Sequence, residues 1–208
     1  MMKQSIKQRT DSLIALSSVV NQFIDVKRAP IRRGKPETDG EHTLHLQMLA
    51  VAYATQYHPE LDAGLVAMYA LVHDFVEVYA GDVNSLGVSD VVMAKKRADE
   101  SAALERLQEE FCDSWPEFIN LVVKYELLET PESRFVKTFD KCDPGFSHLV
   151  NGGQALINLG IVTRDDYVRQ CEVVKGRMRQ YSDEFPDVLL IREEIQHRIA
   201  DKMFGIAV

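Results

Sequence analysis

Four side chains of ligand type recur in apolar settings along this chain: His42, the adjacent pair His73-Asp74, and Asp140. The segment LDAGLVAMYALVHDFVEVYAG, residues 61–81, is apolar on most faces, which predicts a central buried helix. Set into it are His73, Asp74 and Glu77. Buried ionisable groups are costly unless paired or bound to a metal. His73 and Glu77 fall one helical turn apart on one face. Asp74 diverges from His73 by about 100°, so the pair can share an ion only over the helix edge. Imidazole plus carboxylate suits a borderline or hard divalent cation: Zn, Co, Mn or Mg. His42 opens the preceding helix, and Asp140 sits in an apolar stripe with Phe135, Val136 and Phe139. The competing reading is a core histidine bonded to a neighbouring carboxylate, because spacing alone does not establish that three helices converge.

The elements that must position these groups read as helices joined by short polar turns. Apolar periodicity predicts helices over about 5–26, 41–57, 61–80, 89–111 and 115–128. Thr130-Pro131 starts another, running to about Leu149 with Pro144-Gly145 as a kink or break. Thr163 caps the next, to about Tyr181, and Pro186 opens the last, to about Met203. No period-2 run predicts a strand. The stretch KRAPIRRGKPETDGE, residues 27–41, reads as a basic loop. The expectation is an all-α bundle of one domain, 1–208, with a core over about 28–150 and C-terminal helices packed on it.

Composition bounds the rest. With 208 residues, 46% hydrophobic and 27% charged, the chain can bury a core without a structural metal, so a metal site would serve chemistry. A net charge of −8 argues against a nucleic-acid polymer as partner. The three cysteines, Cys112, Cys142 and Cys171, form no disulfide framework or metal knuckle and read as reduced thiols. The N-terminal residues lack the apolar core of a signal peptide, and no run approaches a membrane span. The expectation is a cytoplasmic protein with no membrane partner.

Three segments together carry a specific resemblance. ETDGEHTLHLQMLAVAYA, LVHDFVEVYAGD and ETPESRFVKTFDKCDP resemble, in that order, the EH, HDxxExxxGD and VKxxD segments of the HD superfamily of metal-dependent phosphohydrolases. The likeness is to the branch of bacterial 5′-deoxynucleotidases and HD-domain-containing protein 2, and covers roughly residues 28–150. It implies an HD helical bundle with one divalent metal held by His42, His73, Asp74 and Asp140. It implies that Glu77 acts as general base or orients the attacking water, and that Asp82 contacts the sugar or positions the nucleophile. Arg28 matches the loop arginine that binds phosphate, and Lys137 a lysine near it. His45 and Lys141 stand nearby without an assigned role, His45 reading as packing or a supporting partner. The implied reaction is hydrolysis of (deoxy)nucleoside 5′-monophosphates to nucleoside and phosphate.

One departure bears on substrate. Ala29 follows Arg28 where the deoxynucleotidases have a tryptophan against the sugar. Surplus basic residues Arg32, Arg33 and Lys35 could meet a longer phosphate chain, so a deoxynucleoside triphosphate triphosphohydrolase is the alternative. A catalytically weak nucleotide-binding regulatory module is a second; it predicts lost ligands, whereas all four positions and Glu77 are present. Residues 89–128 alternate Lys/Arg with Glu and read as a solvated face. The resemblance also implies a homodimer or higher homo-oligomer, for which the seam of Val188, Leu189, Ile191 and Ile195 is the candidate surface.

Overall fold

The computed structural model describes residues 5–205. Its centre is a pair of packed helices, α2 (Asp39–Tyr57) and α3 (Ala63–Val72), which follow α1 (Ile6–Ile24). Thr38 caps α2 through a reciprocal box with Glu41, worth about 1 kcal/mol. Asp62 caps α3 by accepting from the Gly64 and Leu65 amides. Leu46, Ala50, Val66, Ala70 and Val72 are buried between them, with Phe135 and Val136 of α7 (Pro131–Asp140) closing the core.

Two helix breaks fall beside the candidate ligands. The expected single helix over 61–80 stops at Val72; residues 73–76 form a turn before the short α4 (Glu77–Ala80). Here the backbone closes by bonds to the third residue back, as from Phe75 to Val72 (3.0 Å) and Glu77 to Asp74 (2.8 Å). Leaving α-helical geometry lets His73 and Asp74 face one point rather than diverge. The second break comes earlier than Pro144-Gly145. Helix α7 ends at Asp140 and α8 (Asp143–Asn151) begins with Pro144 in its first turn. A proline lacks the amide that would bond four residues back, to Asp140, and its ring crowds that carbonyl, so one helix cannot run through. Helix α9 (Gln154–Asn158) follows.

Around this core lie α5 (Asp90–Phe111), α6 (Pro116–Glu126), α10 (Arg164–Ser182) and α11 (Pro186–Phe204). Thr130, Thr163 and Pro186 sit at the helix starts that their types predict. Gly145 lets α8 meet α11 closely: a Cβ there would lie 2.5 Å from Ile195 Cγ2. The apolar seam of α11 is consumed within the chain. Val188 and Ile195 are buried, Ile191 packs on the main core, and Leu189 covers a small cluster of Val174, Met178 and Tyr181. It is therefore not a free surface for a second copy. The stretch Ala63–Ala80 is apolar enough by length and composition to cross a membrane, but the turn at 73–76 interrupts it.

The basic loop is not a loop. Residues Lys27–Arg32 (β1) and Lys35–Thr38 (β2) form an antiparallel hairpin. Arg33 and Gly34 turn it with φ of 52° and 77°, the paired positive angles that match strand twist. Pro30, Pro36 and the run of charges hide this from periodicity, and a lone ribbon is marginal in water. It is held by α8: Asn151 Nδ2 donates to the Ile31 carbonyl, and Arg32 Nη2 approaches Ser147 Oγ at 3.4 Å.

A polar clasp joins the end of α2 to the start of α11. Asp187 Oδ2 accepts from Tyr53 Oη (2.6 Å) and lies 3.0 Å from His58 Nε2, while His58 Nδ1 meets Glu60 at 2.9 Å. Burial lowers the His58 pKa, but these carboxylates outweigh it and raise it. A raised folded pKa gives stability that is complete below the unfolded value of about 6.5 and lost as pH rises through the folded one. The melting temperature should therefore decline above about pH 6.5, and Asp187→Asn should flatten that slope; an unchanged slope would rule out the clasp as its source.

Candidate metal centre

Helix α2 brings His42, the turn after α3 brings His73 and Asp74, and the last residue of α7 brings Asp140. One donor atom from each lies within 4.8 Å of all the others. His42 Nε2 stands 3.0 Å from His73 Nε2 and 3.1 Å from Asp140 Oδ1, and His73 Nε2 stands 2.9 Å from Asp74 Oδ2. The far nitrogens are committed: His73 Nδ1 lies 2.9 Å from the Ala70 carbonyl and His42 Nδ1 2.8 Å from Asp143 Oδ2. Each Nδ1 therefore carries a proton and donates, which turns two bare Nε2 lone pairs toward each other and toward two carboxylates. Such a knot of lone pairs needs a cation or a proton at its centre. The donor set, two imidazole nitrogens and two carboxylate oxygens, fits a divalent metal ion.

Without a metal the charge balance runs through His42. Burial and the Arg28 charge push its pKa down, but hydrogen bonds to Asp140 and Asp143 outweigh them and raise it to about 10. Burial would raise Asp74 and Asp140; His73 and Arg28 hold the first, and Lys141 and His42 the second, well below the usual carboxylate range.

The cluster opens on a cavity of about 780 Å³. Glu77, Asp82, Lys96, Lys137 and Arg28 all line it. Glu77 is buried and takes Lys96 Nζ at 3.0 Å on Oε1, while Oε2 has no hydrogen-bond partner. Burial first, then Asp74, raise its pKa well above the carboxylate value, with Lys96 opposing. Lys137 lies 5.4 Å from the Tyr125 ring centroid, the range of a cation–π contact. Burial lowers its pKa, but Glu126, Asp74 and Asp140 more than reverse that. Asp82 forms no hydrogen bond or ion pair among the described residues.

Arg28 is placed against acids rather than left free. Its Nη1 donates to Asp74 Oδ2 (2.6 Å) and Asp39 Oδ1 (3.0 Å), and its Nε has no hydrogen-bond partner. Asp39, Asp74 and Glu77 converge around it, and burial with the Asp74 charge raises Asp39 to about 7 despite the guanidinium. The surplus loop cations do not reach the cavity: Arg32 donates to Glu37 (2.8 Å from Nε), and Arg33 and Lys35 are exposed at the hairpin tip. The triphosphate alternative therefore draws no support from these three residues.

Two further residues escaped sequence reasoning. Lys96 sits on a helix read as a solvated face, and only the packing of α4 on α5 turns it toward Glu77. Asp143 lies three residues after Asp140 and orients both His42 and His45, the latter at 2.5 Å. Its carboxyl, which burial would raise, is held down to about 2 by those histidines. A partner on the far ring nitrogen fixes tautomer and orientation, so Asp143→Asn should weaken Mn binding by about 10–100-fold with circular dichroism unchanged. Calorimetry returning the unmodified affinity would remove that role.

A family model described as "HD domain" matches residues 20–181. The 5′-deoxynucleotidase HDDC2 of Xenopus laevis is 29% identical over 140 residues, 64% of this chain and 65% of that protein. The Bos taurus protein of the same name is 27% identical over 117 residues, 52% and 51% of the two chains. The chain thus spans just under two thirds, and about half, of these curated relatives. Among solved structures, one described as a predicted metal-dependent phosphohydrolase from Magnetospirillum magnetotacticum MS-1 superposes with a TM-score of 0.68 at 23% identity, covering 91% of this chain and 96% of that one. A conserved hypothetical protein from Pyrococcus furiosus gives 0.53 at 18%, covering 86% and 99%. At these identities the two structures speak for the fold, an all-α HD bundle. With 20–181 matched, more than half its length, this chain belongs to the HD domain family.

Proposed function

We propose that this chain is a divalent-metal-dependent phosphohydrolase that cleaves (deoxy)nucleoside 5′-monophosphates to nucleoside and orthophosphate. The observation that carries the reading is the convergence of His42, His73, Asp74 and Asp140 at the wall of a cavity that also holds Glu77. The curated relatives named 5′-deoxynucleotidase support the substrate class.

His42, His73, Asp74 and Asp140 would hold the ion. When bound, it supplies positive charge that polarises the phosphoryl group and acidifies a water. Lys137 lines the cavity with no ion-pair partner among the described residues and neutralises a phosphoryl oxygen. Arg28 borders the same space and adds positive charge there, although Glu37, Asp39 and Asp74 already face its guanidinium. Glu77 accepts the water proton at Oε2, which has no hydrogen-bond partner among the described residues and lies 3.7 Å from Arg28 Nη1, while Lys96 holds Oε1. Asp82, on the cavity wall, contacts the sugar or aligns the water. The helical frame sets the four ligands and Glu77 in the first turn, at the end or at the break of a helix, where backbone direction changes and side chains can converge.

The test is a screen of NMPs, dNMPs and dNTPs with Mn, Co, Mg and Zn, reading nucleoside and phosphate products together. Nucleoside and orthophosphate from monophosphates are expected. Tripolyphosphate from dATP, with monophosphates untouched, would replace this reading with a triphosphohydrolase.

A further inference from the structure

The cations that line the cavity divide by what balances them. Arg28 is paired with Asp39 and Asp74, Lys96 with Glu77, Lys141 with Asp140, and Arg177 with Asp90. Arg97 and Arg179 are exposed. Lys137 and Arg192 alone are withdrawn from solvent with no carboxylate in ion-pair contact among the described residues. Lys137 is accounted for by the phosphoryl group. Arg192 is not.

Arg192 is 5% exposed, deeper than any other Lys or Arg among the described residues. Its contacts are all neutral. Nη2 donates to the Cys171 carbonyl at 3.4 Å. With the Gln196 amide turned to satisfy its hydrogen bonds, the Gln196 oxygen accepts from Nη1 (2.9 Å) and Nη2 (2.8 Å). These acceptors orient the guanidinium but leave its charge uncompensated, which is unfavourable for a group out of water. It lines the same cavity as Asp74, Asp140 and Lys137. The Cys142 thiol, two residues past Asp140, donates to the Val188 carbonyl at 3.7 Å, and Arg192 lies four residues further along α11, about 6 Å of rise. Both cations line a cavity of about 780 Å³, which has room for a nucleotide.

We propose that Arg192 is a second anion subsite, which takes a phosphate group while Lys137 takes the phosphoryl group that is cleaved. Gln196 and the Cys171 carbonyl hold three of its N–H groups from behind and leave the Nε–H and one Nη1–H to donate to a phosphate. The phosphate has two sources: a second phosphate on the same nucleotide, or free orthophosphate. The first source rests on the phosphohydrolase reading; the subsite does not.

The test titrates inorganic phosphate into the Mg-loaded full chain by calorimetry. Two equivalents are expected for the unmodified protein, one for Arg192→Met, and the other one for Lys137→Met. Met at a buried cation without a carboxylate should fold at least as well, as a melt will show. Two equivalents of unchanged affinity in Arg192→Met overturn the proposal. Should that variant not fold, Arg192→Lys decides: loss of the planar guanidinium that Gln196 and the Cys171 carbonyl orient should weaken one equivalent at least about tenfold, and an unmodified affinity overturns the subsite. A chain that binds two phosphates but hydrolyses no nucleotide keeps the subsite and removes the phosphohydrolase reading; hydrolysis with one phosphate bound does the reverse. The source is read from KM. A nucleoside 3′,5′-bisphosphate should show a KM about tenfold below that of the 5′-monophosphate, an advantage lost in Arg192→Met. Equal KM values alongside two bound phosphates assign the subsite to orthophosphate.

Discussion

Replacing Asp74 with alanine should lower turnover at least about 10³-fold while leaving the helical content intact. Asp74 is one of two anionic donors in the cluster, and its Oδ2 lies 2.9 Å from His73 Nε2 and 3.7 Å from His42 Nε2. Without it the remaining set has two neutral nitrogens and one carboxylate, and metal content measured on the purified protein should fall with activity. The fold should survive because Asp74 lies in a turn and fills no apolar space, and because Arg28 keeps Asp39 at 3.0 Å. Metal affinity in the unmodified protein should rise with pH, since the proton on His42 has to leave before the ion binds. Full activity of Asp74→Ala with added Mn or Co would show that the cluster is not the metal site.

Glu77→Gln tests a different step. Loss of a general base typically costs about 10²–10⁴-fold in kcat, and metal content should not change, because Glu77 is outside the four-donor cluster. Burial and Asp74 raise the Glu77 pKa. The base works deprotonated, so activity at saturating metal should fall as pH drops through that raised value. The glutamine has no such titration, so the acidic limb should vanish along with the rate. A Gln variant with unmodified kcat and the same pH profile would leave Glu77 as no more than the structural partner of Lys96, 3.0 Å away.

The difference between Lys96 and Lys137 shows how far the sequence reached. Lys137 stands in a segment whose motif resembles a known one, so its place near the phosphate is an expectation before any fold exists. Lys96 stands among alternating acids and bases, a pattern that describes a solvated helix equally well. Its burial depends on α4 packing against α5, which no local pattern encodes. The hairpin is a similar case: the two-residue turn at Arg33-Gly34 is a weak local signal, and contacts to Asn151 and Ser147, more than a hundred residues away, stabilise it. Likewise the apolar seam of α11 marks a buried face correctly but does not say against what, and it packs on its own chain.

By itself the sequence determined which residues could ligate a metal, that the frame is helical, and where Thr130, Thr163 and Pro186 start helices. Those properties are local: they follow from side-chain type, apolar period and capping chemistry. Only the tertiary structure decided that the ligand-type residues meet. His42 reaches Asp140 and Asp143 across 98 and 101 positions of chain, and His73 across 31. It also decided which charges are paired: among the described residues Lys137 and Arg192 have no carboxylate in ion-pair contact, while Arg28 has four, Glu37, Asp39, Asp74 and Glu77. The physical reason is that burial and electrostatic compensation depend on distances between distant segments, and those distances exist only once the helices have packed.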